Sequence, residues 1–427
     1  MILIPLMMKG IYVFSVLALL ITFLMVFYST LNLETAKSYT SEVKLFSKVE
    51  DQNLDILLSE PQSFTLPEPD VDNVSVSESF RQTIPQNGAY WNRLLYSRLK
   101  NLGKRESPLR DKLSWSKCRQ ANEESLKINV HNFNSYPAPF QDFLRVMDCR
   151  SSAALALLPH KCLPIESDGE NQTLLLFAIK SNPGNFERRQ AVRETWGQEM
   201  LYPNGLQIRR VFILGNPYPE DPNLGPLLSF EKEYFGDILQ WDFQESFLNL
   251  TLKMNLFLPW TLKHCPHASF VFSGDDDVFV NTPALVTYLQ SLEPSKASRV
   301  YVGHVINSAG PIRDQKSKYY IPTSFYNGPY PPYAGGGGFL ISGALLKPLY
   351  SVSFVIPFFP IDDVYIGMCA KALGVSPQGH AGFQTFDVKE EDRDNLCIHK
   401  NLILIHQRLP KQLMYLWKGI HSPLLSC

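Results

Sequence analysis

At 427 residues the chain is long enough for one large domain with appendages, or for two domains. Its 45% hydrophobic content promises a substantial core, and 40 basic against 41 acidic residues leave a formal charge of −1. That balance excludes binding to nucleic acid through bulk positive charge. Seven cysteines without a CxxC pair speak against a zinc site and for scattered disulfides in an oxidising compartment. Because seven is odd, at least one thiol stays free or pairs between chains.

Residues 10–33 carry no charged side chain, and residues 11–28 are almost entirely apolar. Roughly twenty such residues cross a bilayer as a helix. The competing reading is a cleaved signal peptide, which has a shorter apolar core and ends in a small-x-small site. The bulky run from Phe23 to Tyr28 fits an anchor better. Lys9 and the amino terminus are the only positive charges on the short side. Residues 1–9 are therefore expected to stay cytosolic and the rest to be luminal, a single-pass type II arrangement. Residues 34–115 read as a stem, polar and punctuated by Pro61, Pro67, Pro69 and Pro85. Within it the aromatic stretch 89–96 is expected to dock back onto the main domain. Sequons at Asn73, Asn171 and Asn249 are candidates for glycosylation in a lumen.

The globular part is expected over residues 116–427. The apolar run 174–179 reads as a strand buried on both faces. A loop at 182–185, a helix over 187–196 and a second buried strand at 210–215 follow. Strand, helix, strand predicts an α/β layer with parallel strands. Ligands bind such sheets at the carboxyl ends of strands, where Lys180 and Asp275 fall. Arg188, Arg189 and Arg193 on the helix either bind a diphosphate or form a solvated face.

The strand 269–272 leads into Asp275, Asp276 and Asp277. Three carboxylates at a strand end repel one another and are costly to desolvate. A hard divalent cation, Mg²⁺ or Mn²⁺, lets them stay ionised together. In an extended segment Asp275 and Asp277 point to one side and Asp276 to the other. A solvated acidic turn is the plainer alternative, and the apolar flanks weaken it.

Four glycines, Gly335, Gly336, Gly337 and Gly338, sit between aromatics and an apolar strand. They are expected to let backbone approach a ligand where no Cβ fits. Tyr330 and Tyr333 then either offer flat faces to sugar rings or serve as core residues. Asp362 and Asp363 precede a helix, so one can cap it while the other acts as a general base. His406 follows the apolar strand 402–405, where an imidazole is structural or completes a metal site.

In this order, segments 188–197, 274–282, 333–339 and 362–365 resemble the motifs of the Golgi β-1,3-glycosyltransferases. Segments 318–322, 330–339 and 360–369 resemble, within that family, the N-acetyllactosaminide β-1,3-N-acetylglucosaminyltransferases. The resemblance runs from about Phe140 to Cys427. It implies a GT-A fold (a Rossmann-like α/β sheet), a UDP-sugar donor, Mn²⁺ with Mg²⁺ as the alternative, and inversion at the anomeric carbon. Carried onto matching positions, Asp277 becomes the direct metal ligand and His406 a further one. Asp275 and Asp276 hold metal-bound water or the ribose and sugar of the donor. Asp363 takes the place of the catalytic base, and Asp362 stands where the family carries Glu or Asp.

The implied reaction moves N-acetylglucosamine from UDP-GlcNAc to the 3-hydroxyl of a terminal galactose on a glycoprotein or glycolipid. A galactosyl donor stays open, as does assembly into homo- or hetero-oligomers. Outside the family, a luminal Ca²⁺ lectin-like module and a metal-dependent hydrolase use similar residues. Release of UDP only in the presence of acceptor separates the three.

Overall fold

The uninterrupted apolar run after residue 173 becomes the middle of a mixed sheet, because only a strand covered on both faces can bury every side chain. The computed structural model describes residues 69, 71, 73–102, 115–130, 132–150, 152–163, 173–203, 205–217, 221 and 223–427. They fall in one unit, Thr65–Cys427. Its strands are β1 (Ala154–Ala156), β2 (Thr173–Lys180), β3 (Met200–Leu201), β4 (Leu206–Asn216), β5 (Ile238–Gln244) and β6 (Ala268–Asp275). Then come β7 (Val278–Val280), β8 (Tyr301–Ile306), β9 (Tyr333–Ser342), β10 (Gln378–Gly379), β11 (Phe383–Gln384) and β12 (Leu404–His406).

The main sheet runs β1-β5-β4-β2-β6-β9-β8-β10, with β3 paired to β4. Strands β5, β4, β2 and β6 are mutually parallel. Helices Phe186–Glu194, Leu224–Phe235 and Leu250–His264 make the crossovers between them. This is the predicted α/β layer, and β9 extends it antiparallel to both β6 and β8. On one face Phe177, Trp196 and Phe272 meet edge to face, with ring centroids 5.5 to 6.1 Å apart. The register places Lys180 directly opposite Asp275 at the carboxyl ends of β2 and β6. A second, three-stranded sheet joins β11, β12 and β7, and there His406 lies opposite Val278.

The stem boundary needs correction, because residues 77–101 are part of the folded unit. Ser77 donates its N–H to the Ala372 carbonyl (2.7 Å) and its hydroxyl to that of Lys371 (2.6 Å). Trp91 is fully buried, with its indole N–H donating to the carbonyls of Pro357 and Phe358 at 3.1 and 3.2 Å. Arg98 pairs with Asp148 at 2.6 Å. The apolar payload of helix Tyr90–Asn101 explains this docking: Tyr90, Trp91 and Leu95 form its buried face. Disulfides link Cys118 to Cys149, Cys162 to Cys265 and Cys397 to Cys427, and Cys369 is buried and unpaired. Among the described residues no helix is long and apolar enough to cross a membrane. The expected anchor, residues 10–33, lies outside the described residues, and so does Asn171.

Asn73 is exposed. Asn249 is 4% exposed, its side-chain amide donates to the Gln244 carbonyl at 2.9 Å, and the sequon's Thr251 is fully buried. A glycan has no room on that nitrogen. The expectation for Asn249 is corrected.

Candidate active site

A cleft of about 690 Å³ opens over the carboxyl ends of β2 and β6, within the range of small-ligand sites. Six acidic side chains line it (Glu245, Asp275, Asp276, Asp277, Asp362 and Asp363) against four basic ones, Lys180, Arg188, Lys253 and Lys318. A cation held among these carboxylates would offset the excess negative charge for an anionic ligand.

Asp276 and Asp277 form the turn between β6 and β7, not an extended segment. The turn nonetheless separates Asp276 from Asp275 and Asp277, as expected. Asp276 is 3% exposed and accepts from Ser181 Oγ at 2.6 Å and Asn185 Nδ2 at 2.9 Å, with Arg188 Nη1 at 3.3 Å. Burial raises its pKa, and those donors offset part of the rise. Ser181 and Asn185 were not singled out in the sequence. Their signal was the short loop 182–185, which had to sit at a strand's carboxyl end.

Asp275 and Asp277 meet His406, and one ligand atom from each lies within 4.8 Å of the others. The pairing of β12 with β7 makes this possible, because it brings His406 alongside the turn. His406 Nδ1 is 3.0 Å from the Thr385 carbonyl, an acceptor only, so Nδ1 carries the proton. The ring's Nε2 faces Asp277 Oδ1, 3.4 Å away, and although burial works against the imidazolium, that carboxylate raises the His406 pKa. That carboxylate oxygen is buried and accepts no hydrogen bond. A lone pair facing an orphaned carboxylate oxygen is repulsive unless a proton or cation lies between them, so the group fits a divalent cation. Burial pushes the Asp277 carboxyl up, but His406 and Arg188 outweigh it and hold its pKa low.

Lys180 is 4% exposed and spans Asp275 Oδ1 (3.0 Å) and Asp362 Oδ2 (2.8 Å). Burial works against its ammonium, yet Asp275 and Asp362 together raise its pKa. Neither aspartate caps the helix Asp362–Ala372 as expected, since Ile361 occupies the N-cap position. Asp362 serves Lys180 instead. Asp363 lines the cleft, its Oδ2 accepting from the Gly336 N–H (2.9 Å) and its Oδ1 from the Val364 N–H (2.7 Å). Burial first, and Asp362 second, push the Asp363 pKa up to about 7.

Protein side chains close on the glycine run, of which Gly336 and Gly337 also line the cleft. A Cβ on Gly336 would sit 3.1 Å from Asp363 Oδ2, and one on Gly337 would sit 3.2 Å from the His406 ring and Cβ. Tyr330 and Tyr333 reach the cleft wall but are 6% and 7% exposed. Tyr330 stacks on Tyr326 at 5.8 Å and meets Phe359 edge-on at 5.6 Å, which is the core reading.

The arginines divide. Arg188 reaches the cleft, 3.1 Å from Asp277 Oδ2. Arg189 is fully buried and forks onto Glu231, with Nη2 to Oε2 at 2.6 Å. Arg193 joins Asp237 (2.8 Å) and Glu231 (2.7 Å). Arg189 and Arg193 are thus neither diphosphate binders nor a solvated face. Arg189→Ala is expected to cost about 3–5 kcal/mol, because it removes the buried fork and leaves Glu231 with Arg193 alone, and so to lower the melting temperature by several degrees. Arg188→Ala should leave the melt near wild type, because Arg188 is the partly exposed member of the three. A wild-type melt for Arg189→Ala would overturn this division.

The galactosyltransferase family signature matches residues 187–380. The N-acetyllactosaminide β-1,3-N-acetylglucosaminyltransferase 2 of Mus musculus is 47% identical over 307 residues, 71% of this chain and 75% of that protein. The enzyme of the same name from Homo sapiens is 46% identical, over 71% of this chain and 76% of its own. A human acetylgalactosaminyl-O-glycosyl-glycoprotein β-1,3-N-acetylglucosaminyltransferase is 42% identical, over 69% and 77%. Identity of that extent, across most of both chains, means that this protein belongs to the galactosyltransferase family and stands among β-1,3-N-acetylglucosaminyltransferases.

Proposed function

We propose that this protein is an inverting glycosyltransferase of GT-A type that moves N-acetylglucosamine from UDP-GlcNAc to the 3-hydroxyl of a terminal galactose. It thereby extends N-acetyllactosamine chains on glycoproteins or glycolipids. The observation that carries the reading is Asp363. It is a carboxylate fixed by two backbone N–H groups, with a pKa raised to about 7, in the same cleft as the Asp275, Asp277 and His406 cluster.

The acceptor hydroxyl is a poor nucleophile, and Asp363 takes its proton as the oxygen bonds to the anomeric carbon. The bond from that carbon to the UDP oxygen breaks on the opposite face, so one displacement inverts the centre and no second nucleophilic carboxylate is needed. Asp275, Asp277 and His406 would hold a divalent cation, Mn²⁺ or Mg²⁺, whose charge offsets that developing on the leaving diphosphate. Lys180 keeps Asp275 and Asp362 in place, and Arg188 sits at the diphosphate end. The three disulfides suit an oxidising lumen, which supports a Golgi type II enzyme anchored through residues 10–33, with a glycan at Asn73.

The detergent-solubilised full chain, given UDP-GlcNAc and a lactosamine acceptor, should release UDP and add the mass of one N-acetylhexosamine. Equal UDP release without acceptor would indicate a hydrolase, and none in either case a lectin. A product formed only from UDP-galactose would shift the donor assignment.

A further inference from the structure

Behind the Asp277 and His406 pair lies an ion pair that the reaction above does not use. We propose that Asp387 and Arg408 form a clamp that positions the metal centre, acting through Asp277 and His406 without touching the ion. The inference rests on the metal reading of the site.

Arg408 is 5% exposed, and its backbone N–H donates to the carbonyl of Asp277 at 2.6 Å. The Arg408 backbone thus fixes the main chain that carries one ligand. Its guanidinium donates through Nη2 to Asp387 Oδ1 and through Nη1 to the Gln407 carbonyl, both at 2.7 Å. Asp387 lies two residues beyond Thr385, whose carbonyl accepts the Nδ1 proton of His406 at 3.0 Å. One ion pair therefore closes a ring that runs from Asp277 through Arg408, Asp387 and Thr385 to His406, and back to Asp277 across 3.4 Å.

Two features mark this ring as held in place. Asp387 has φ 74°, a left-handed conformation that a non-glycine residue keeps only when its surroundings enforce it. Val388 N–H and Arg408, both at 2.7 Å, supply that enforcement, while Arg393 Nε reaches the other carboxylate oxygen at 3.0 Å from a solvent-exposed position. The Arg408 and Asp387 side chains are 4% and 18% exposed, so their pairing is far less screened than a surface contact. Without it the 385–387 segment is free to rotate the Thr385 carbonyl away. His406 then loses both its tautomer and its aim, which for groups that orient ligands weakens metal binding by about 10- to 100-fold.

The test is Mn²⁺ titrated into the full chain in the presence of UDP, read by calorimetry, beside thermal melts without metal. Asp387→Asn keeps the shape and tolerates positive φ but loses the charge, and is expected to bind Mn²⁺ about 10-fold more weakly. Arg408→Lys keeps one charge and loses the fork to Gln407. It is expected to weaken Mn²⁺ by several-fold, and it carries the test if Asp387→Asn does not fold. Arg393 is 51% exposed, so Arg393→Ala should stay within twofold of wild type. At saturating Mn²⁺ the Asp387→Asn enzyme should recover kcat, because the proton-accepting group is untouched. Wild-type Mn²⁺ affinity in a folded Asp387→Asn or Arg408→Lys protein overturns the clamp. So does a kcat loss that Mn²⁺ does not restore, or an Arg393→Ala defect as large as that of Asp387→Asn. A wild-type protein that binds no Mn²⁺ overturns the metal reading, and the clamp with it.

Discussion

Asp277→Ala is expected to lose turnover by about 10³-fold or more, and excess chelator should do the same to the wild type. The cleft carries two more acidic than basic side chains among those lining it, so a cation bound there would offset the charge that a diphosphate meets. Asp277 Oδ1 is the buried oxygen without a hydrogen-bond donor, set between His406 and Asp275. Removing it would take away a ligand of the proposed cation, which would supply several kcal/mol of charge stabilisation, and each 1.4 kcal/mol is tenfold in rate. Asp276→Asn should be milder, since Asp276 spends its oxygens on Ser181, Asn185 and Arg188. The measurement is UDP release with lactosamine acceptor across a Mn²⁺ series. Full activity in excess chelator, or an Asp277→Ala enzyme near the wild-type rate, would sink the metal assignment.

Asp363→Asn should lower kcat by about 10²- to 10⁴-fold while UDP-GlcNAc still binds. Asparagine keeps the shape and cannot take a proton. It also offers one oxygen where Gly336 N–H and Val364 N–H each meet one, so a stability loss of about 1–3 kcal/mol should accompany the rate loss. Calorimetry of donor binding separates the two effects. The wild-type pH profile adds a check. A base with its pKa raised to about 7 is protonated, and idle, in acid. Turnover should therefore fall as pH drops through about 7 and level off above it. Asp362→Asn acts differently: it leaves buried Lys180 with Asp275 alone, so it should cost stability more than turnover. If Asp362→Asn is inactive while Asp363→Asn turns over normally, the roles are exchanged.

Much of this arrangement is written in local patterns. An apolar run with no polar break can only be a doubly covered strand, so β2, the middle of β4 and β6 were legible, and the aspartates followed as their terminus. The side chains that fold back on the protein were harder to foresee. Arg189 and Arg193 are four apart and share a helix face, while Arg188 points about 100° away, so the division among them was available from helical spacing. What the spacing could not supply was Glu231 and Asp237, which lie 38 to 44 residues downstream in sequence and turn that face inward. Four glycines signal close approach but not by what, and Asp363 and His406 arrive from distant segments. A sequon likewise carries no information about burial, which is why Asn249 misled. No local pattern links Asp387, which stands just before the charged run 389–394, to Arg408, two residues after His406.

The docked helix Tyr90–Asn101 also sets how far the chain can be trimmed from its amino-terminal side. Trp91 meets Tyr326 and Phe359 edge to face, at 5.3 and 5.7 Å, and these two rings in turn pack Tyr330 at the cleft wall. A cut before Ser77 releases a particle with that support intact. A single nick between Asn101 and Trp115 leaves an enzyme of two pieces, held together by Trp91, Arg98 and the Ser77 contacts. Trimming to residue 116 removes the prop and leaves Tyr326 and Phe359 facing water. Truncated forms that keep residue 77 onward should therefore retain activity, and shorter ones should fade even though no residue of the cleft itself has been lost.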